Sequence, residues 1–286
     1  MSRLSAYIKL ARLNQPIGIW LLFLPCLCGI FLSLKEISNP ELAEIFRIIF
    51  LFFVGSVSIR SAGCVVNDIF DQKFDEKVTR SKSRPLAAKI IKRSEALILL
   101  SILLIVGFII LLQFNMQTIV GGFFALSLVI TYPLMKRITY YPQVFLGLTF
   151  NFGILMSSLA TLQTITSSSI IFYLSLAIWT VIYDTIYAHQ DVNDDIRIGV
   201  KSTAIKFGKN TKKILISLSL VMFLGLVFLG WKESFGPEFF LTILLADMFL
   251  NHKIQKCNLE NPADCLKFFK SNIWFGILIL IAVILG

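Results

Sequence analysis

The sequence predicts an all-α protein, a multi-pass transmembrane bundle of about nine helices around a central cavity. Three observations predict it. The chain is 56% hydrophobic and 15% charged, with a mean hydropathy of +0.79, whereas soluble domains carry about 25% charged residues. Its apolar residues gather in runs close to the ~20 residues that cross a bilayer. Its basic residues gather in alternate connections between those runs, as the positive-inside rule requires.

The runs fall at 15–34, 45–66, 95–113, 117–135, 142–160, 168–188, 213–231, 237–250 and 268–285. The first follows Arg3, Lys9 and Arg12, and its Cys26 and Cys28 read as packing residues. The second carries Arg60 and closes on an acid cluster. Eight basic residues, from Lys73 to Arg93, separate it from the third. Lys136 and Arg137 follow the fourth. The sixth closes on a second acid cluster, and six basic residues from Arg197 to Lys213 follow it. The eighth is short and contains Asp247, the one acid set deep in a run. Lys253, Lys256, Lys267 and Lys270 precede the ninth. With the N-terminus cytoplasmic, only Lys35, Arg47 and Lys232 of the 27 basic residues fall in outer connections. This asymmetry supports nine spans with the C-terminus outside.

Several classes are set aside. The net charge of +10 lies in membrane loops and not on a soluble basic stripe, so no nucleic-acid partner is expected. The five cysteines lack metal spacing, and His189 and His252 are too few for a His-rich metal site. No small-residue cleavage site follows a short apolar core near Met1, so a cleaved signal peptide is not expected.

The two acid clusters carry the chemistry. The first reads Asn67-Asp68-x-x-Asp71-x-x-x-Asp75, and Asn67, Asp71 and Asp75 repeat every four residues. If the second helix continues past the membrane edge, the three share one face. Stacked oxygens of that kind repel one another until a cation joins them. Carboxylates with an amide oxygen suit Mg²⁺, which completes its shell with water and substrate phosphates. Arg60 lies seven residues earlier, on the same face. Asp68 is off it, and either supports the site or is structural. A solvated acidic cap is the alternative for Asp75-Glu76-Lys77; a second cluster argues against it. That second cluster is Asp191-x-x-Asp194-Asp195, with Asp184 earlier, and Asp184, Asp191 and Asp195 would share one helical face. Tyr183 and Tyr187 stand at interface depth, where an aromatic belt is the commoner role. His189 is a general base or a bystander. Arg80 and Arg84 have the spacing of a diphosphate clamp, or are topological loop charges. Lys201 follows the second cluster within reach of a phosphate.

Two acid sets, Mg²⁺ and basic residues describe a site that ionises a diphosphate. Placed among lipid-facing helices, such a site suits a diphosphate with a long apolar tail. No activated serine, cysteine or lysine indicates covalent catalysis.

These motifs resemble the two signatures of the UbiA superfamily of intramembrane prenyltransferases. The segments Gly63–Asp68, Lys73–Asp75, Arg84–Leu86, Tyr183–Thr185 and Ile198–Ala204 resemble its 4-hydroxybenzoate polyprenyltransferase branch. Tyr132–Gln143 is the most branch-specific segment and argues against naphthoate or haem acceptors. The likeness runs from about Ala11 to the C-terminus. It implies a cavity open sideways to the membrane and Mg²⁺ bridging both motifs to a polyprenyl diphosphate. By position, Asn67, Asp71 and Asp75 would serve one metal cluster, and Asp191 and Asp195 the other. Asp71, Asp75, Asp191, Asp195 and Arg137 would be catalytic, with Arg137 also the cation for the acceptor carboxylate. Arg60, Asn67, Arg84, Lys136, Tyr187 and Lys201 would bind substrate. Asn14 departs from the pattern, since relatives often carry charged residues in Arg12–Gly18. The resemblance implies prenyl transfer to 4-hydroxybenzoate in the bilayer of a bacterial inner membrane, with the site toward the cytoplasm. A cation-coupled transporter would need acids near the bilayer midplane, where only Asp247 lies. A phosphatidyl-group transferase would need an Asp-Gly…Ala-Arg…Gly…Asp pattern that neither cluster contains.

Overall fold

The computed structural model describes residues 2–286, and among them there are helices and no strands. A short helix α1 (Arg3–Leu10) precedes α2 (Ile17–Leu34), α3 (Leu42–Asp75), α4 (Arg93–Leu111), α5 (Met116–Ile138), α6 (Pro142–Leu162) and α7 (Ser167–Ala188). Two short helices, α8 (Val192–Ile198) and α9 (Thr203–Phe207), lead to α10 (Thr211–Lys232), α11 (Pro237–Lys256) and α12 (Pro262–Leu285). Nine of these reach 18 residues or more, and eight of the nine are long and apolar enough to cross a membrane. The exception is α11, the short eighth run of the sequence. It is 20 residues long, but Asp247, Asn251, His252 and Lys253 dilute its apolar face.

Every long helix runs antiparallel to the next, so the connections sort to two ends. One end gathers the acid clusters and most basic residues. The other is held by contacts such as Arg47 with the Gln113 carbonyl at 3.3 Å, and Lys35 over the Phe235 ring at 4.9 Å. The second helix of the sequence pattern is longer than its apolar run. Its 34 residues make α3 about 51 Å long at 1.5 Å per residue, well beyond a hydrocarbon core of about 30 Å. The first acid cluster therefore rides on the last turns of α3, as the four-residue spacing requires.

The two halves of the bundle are filled differently. Helices α7, α10, α11 and α12 pack with one side of α2 and α6 into a solid core around Trp179, Phe239 and Phe275. Buried polar pairs tie that core: Trp179 Nε1 donates to Asn272 at 2.8 Å, and Asn151 Nδ2 donates to Thr180 at 2.7 Å. Helices α2 to α6 enclose a hollow instead. On its outside, α4 exposes Ile98, Ile102, Ile105 and Ile109, a surface suited to lipid and not to water. Helix α1 packs through Ala6 and Leu10 against Val65, Leu86 and Ala96, and covers the loop after α3.

Candidate active site

The hollow is a cavity of about 360 Å³ that runs from the acid clusters deep into the bundle. Arg12, Asn67, Asp68 and Arg84 line its polar end, while Leu51, Phe52, Ile110 and Phe114 line its far end.

At the polar end the acids of α3 are almost fully buried. Asp68 and Asp71 are each 1% exposed and Asp75 is 7% exposed. Bare carboxylates at such depth are costly, and three cations compensate them. Arg12 Nη2 grips both oxygens of Asp68 at 2.9 and 3.1 Å. Arg84 Nη1 donates to Asp68 at 3.2 Å and to Asp75 at 2.8 Å. Lys136 pairs with Asp71. Burial disfavours the charged guanidinium of Arg84, but Asp68 and Asp75 outweigh it and hold Arg84 above the usual arginine value.

The second cluster sits across the mouth. A 3₁₀ turn, His189–Asp191, ends α7, and α8 carries Asp194 and Asp195 until Gly199 stops it with a φ of +74°. The single helical face expected for Asp184, Asp191 and Asp195 is broken by that turn. Asp184 stays in the cavity wall, and Asp191 turns to the loop after α3. There Arg80 Nε donates to Asp191 at 2.8 Å, and Arg80 Nη1 donates to Tyr187 at 3.1 Å. Burial lowers the Arg80 pKa, but its Asp191 hydrogen bond wins and raises it overall. The Thr79 amide donates to Asp194 at 2.9 Å, a second clasp between the halves.

Deeper in the cavity lies Arg60. Its Nε is buried with no hydrogen-bond partner, its Nη1 donates to Cys64, and its guanidinium lies 5.5 Å from the Phe150 ring centroid. Gly18 makes room for it, because a Cβ there would fall 2.5 Å from Arg60 Nε. Tyr132, Tyr183, Asp184 and Tyr187 line the same stretch, and the Tyr183 hydroxyl is likewise buried without a partner. This middle section is polar, aromatic and cationic, between an anionic mouth and an apolar end.

Among the described residues, no three His, Cys, Asp or Glu side chains already converge on a point fit for a metal ion. The protein's own cations take that place on Asp71, Asp75 and Asp191. The donor set still suits Mg²⁺. Asn67 and the aspartates offer oxygen ligands only, and Asp71 Oδ1 is buried without a hydrogen bond.

Residues 22–276 match the model of the UbiA prenyltransferase family. The chain belongs to the UbiA prenyltransferase family. It is 41% identical to the mitochondrial 4-hydroxybenzoate polyprenyltransferase of Drosophila melanogaster, over 100% of this chain and 72% of that one. The human protein of the same name is 40% identical over 99% of this chain and 76% of its own. A UbiA homolog from Aeropyrum pernix K1, solved in its apo form, shares the fold with a TM-score of 0.75. It is 19% identical, with 93% and 96% of the two chains covered. A UbiA homolog from Archaeoglobus fulgidus, solved with GPP and Mg²⁺, superposes with a TM-score of 0.69 at 18% identity, covering 98% and 99%.

In this UbiA-family chain the sequence-derived residues divide into three groups. Arg60, Asn67, Arg84 and Tyr187 line the cavity. Asp71, Asp75, Asp191 and Lys136 form its charged rim through the ion pairs above, and Asp195 stands beside them on α8. Arg137 joins that rim, its Nη2 3.9 Å from Asp71 Oδ1, and Lys201 is placed elsewhere. Arg137 donates to the Phe70 carbonyl at 2.8 Å, lies over the Phe74 ring and is 40% exposed. Lys201 Nζ donates to the Ile138 carbonyl at 3.1 Å, so it closes the end of α5. His189 bonds Thr211 at 3.2 Å between α7 and α10. Sequence reasoning missed the grip of Arg12 on Asp68. Arg12 holds a φ of +56° in the turn before α2, a conformation that a non-glycine residue does not advertise.

Proposed function

We propose that the chain transfers a polyprenyl group from polyprenyl diphosphate to the ring carbon ortho to the hydroxyl of 4-hydroxybenzoate, a membrane step of ubiquinone biosynthesis. One observation carries the reading. A single cavity joins an anionic, arginine-flanked mouth to an apolar interior, in a chain about 40% identical over its length to enzymes named for this reaction. The diphosphate belongs at the mouth, with Arg12 and Arg84 as its fixed cations, and the tail belongs in the apolar end. Bound Mg²⁺ would neutralise the leaving diphosphate. Asn67, Asp71 and Asp75 would hold one ion, and Asp191 and Asp195 the other.

The acceptor belongs in the middle section. Arg60 replaces Arg137 as partner for its carboxylate, because Arg60 is buried in the cavity wall with a donor unused. The tyrosines and Phe150 flank a planar ring there. As the C–O bond to diphosphate breaks, the carbon ortho to the hydroxyl bonds to C1 of the allylic group. The ring proton then passes to a carboxylate, and Asp184 is the acid in that wall.

This reading takes residues 1–286 as one integral membrane prenyltransferase domain. The basic connections on the acid-cluster face support a cytoplasmic N-terminus and a site facing the cytoplasm, and the membrane of this reading is a bacterial plasma membrane. The relatives compared above are named as mitochondrial, and cell fractionation decides the address. The functional test uses purified membranes, radiolabelled 4-hydroxybenzoate and a long-chain polyprenyl diphosphate, with Mg²⁺ or EDTA. Label entering the lipid extract only with Mg²⁺ is the expected result. No transfer by folded protein sinks the acceptor assignment.

A further inference from the structure

The connection between α11 and α12 brings two thiols together. Cys257 caps the end of α11 and Cys265 lies in the first turn of α12, and a side-chain hydrogen bond joins them. Both are free and buried. The turn 258–261 lies over them, with Cys265 Sγ 3.8 and 3.7 Å from the Asn258 and Leu259 carbonyl oxygens. Asn258, Glu260 and Asn261 are themselves exposed. Short-range bonds hold the turn: the Asn261 amide donates to the Asn258 carbonyl at 3.2 Å, and the Cys265 amide donates to the Asn261 carbonyl at 3.1 Å. An exposed turn tied mainly to its own neighbours opens at low cost, enough to admit a small oxidant. Lys253, Lys256, Lys267 and Lys270 flank the pair in sequence, and Lys212 Nζ reaches the Gln255 carbonyl at 2.8 Å. Positive surroundings of this kind favour the reactive thiolate.

The pair is also linked to the cavity. Cys265 and Phe269 are one turn apart on one face of α12. Phe269 lines the cavity, with its ring centroid 4.4 Å from that of Tyr187 and 5.7 Å from that of Tyr183. We propose that Cys257 and Cys265 form a peroxide-sensitive dithiol that adjusts the cavity wall through α12. One thiolate attacks a peroxide oxygen, and the O–O bond breaks to leave a sulfenic acid and hydroxide. The second sulfur attacks the sulfenic sulfur, so the S–S bond forms as the S–O bond breaks. The departing hydroxide takes the second thiol proton, and the hydroxide of the first step takes the first. Two thiols and hydrogen peroxide thus give one disulfide and two waters, and a thiol reductant reverses the change. Closing the sulfurs from contact to about 2 Å pulls the start of α12 toward α11 and shifts Phe269 against Tyr187.

The first arm of the test needs no activity. Trypsin releases both cysteines in one peptide, 257–267, because no lysine or arginine lies between them. After the folded protein meets hydrogen peroxide, that peptide should be lighter by two hydrogens and refuse iodoacetamide until it is reduced. Cys257→Ala and Cys265→Ala should each abolish the change. A peptide that keeps both thiols alkylable, or gains oxygen without forming the disulfide, overturns the proposal. The second arm rests on the prenyltransferase reading. Oxidised wild type should transfer prenyl groups about tenfold more slowly, within the loss that a small displacement away from the chemistry produces. Dithiothreitol should restore the rate, and either alanine variant should ignore peroxide. A disulfide that leaves the rate unchanged overturns the link to the cavity. No transfer by the reduced, folded protein counts against the prenyltransferase reading and leaves the first arm standing.

Discussion

Asp71 concentrates the chemistry of the mouth. It is 1% exposed, pairs with Lys136 through one oxygen and leaves the other without a hydrogen bond. Its opposite number, Asp191, is held by Arg80. Both are cationic pairings that a metal–diphosphate complex would take over, so either loss should be severe. Asp71→Ala and Asp191→Ala are each expected to lower kcat by about 10²-fold or more, the scale seen when one electrostatic stabiliser is removed. Single-turnover kinetics check this, and values within about tenfold of wild type would falsify the metal bridge. Arg60 gives the second residue-scale prediction. Arg60→Leu should raise the KM for 4-hydroxybenzoate roughly 30-fold, from ~2 kcal/mol for one lost charge-assisted hydrogen bond. The KM for prenyl diphosphate should hardly move. Arg137→Leu, on an exposed side chain beside Asp71 and outside the cavity lining, should not reproduce that split.

Helix pairing explains the one acid that the sequence leaves without a role. Asp247 on α11 accepts hydrogen bonds from Ser219 of α10 and from Asn251, whose Nδ2 also donates to Ser219 at 3.1 Å. It is a polar pin between two helices, set apart from the cavity. Such pins average about 0.6 kcal/mol in membrane proteins. Asp247→Asn should therefore cost less than about 1 kcal/mol and leave prenyl transfer unchanged. A thermal-shift assay in detergent and the transfer assay check the two halves of that statement. Loss of transfer in a folded Asp247→Asn protein would reopen the transporter reading. At the same scale, α3 and α7 differ in how well their sequences reveal them. The four-residue spacing of the first cluster demands a continuous helix, and α3 supplies one. The second cluster has a helical spacing too, yet the 3₁₀ turn at His189–Asp191 breaks it, and its spacing carries no sign of the break.

Across the whole molecule, charge is sorted between two ends, and the solid half of the bundle braces the hollow one. Arg80 with Asp191, and Thr79 with Asp194, close the mouth between them. Orientation follows from the same sorting and can be read by labelling. All five native cysteines are buried, so the unmodified chain is a quiet background. Ser83→Cys, in the exposed loop after α3, should react with an impermeant maleimide only after the cells are opened. Glu238→Cys, at the opposite end, should react in intact cells. The reverse pattern would invert the proposed topology.

The sequence by itself determined the helical membrane class, the positions of the long helices and the two acid motifs. Apolar run length, loop charge and four-residue spacing are local quantities, and the bilayer leaves few alternatives to a helix. Only the tertiary structure decided which cations meet which acids. The pairing of Arg12 with Asp68 joins residues 56 positions apart, and that of Arg80 with Asp191 spans 111. It also placed Arg60 in the cavity wall and Arg137 at the rim beside Asp71. A charge beside a motif in sequence points wherever its helix turns it, and Gly18 on a neighbouring helix admits Arg60 to the interior. The apolar end of the cavity is tertiary in the same sense, because Phe52 on α3 and Phe114 in the turn between α4 and α5 meet only through packing.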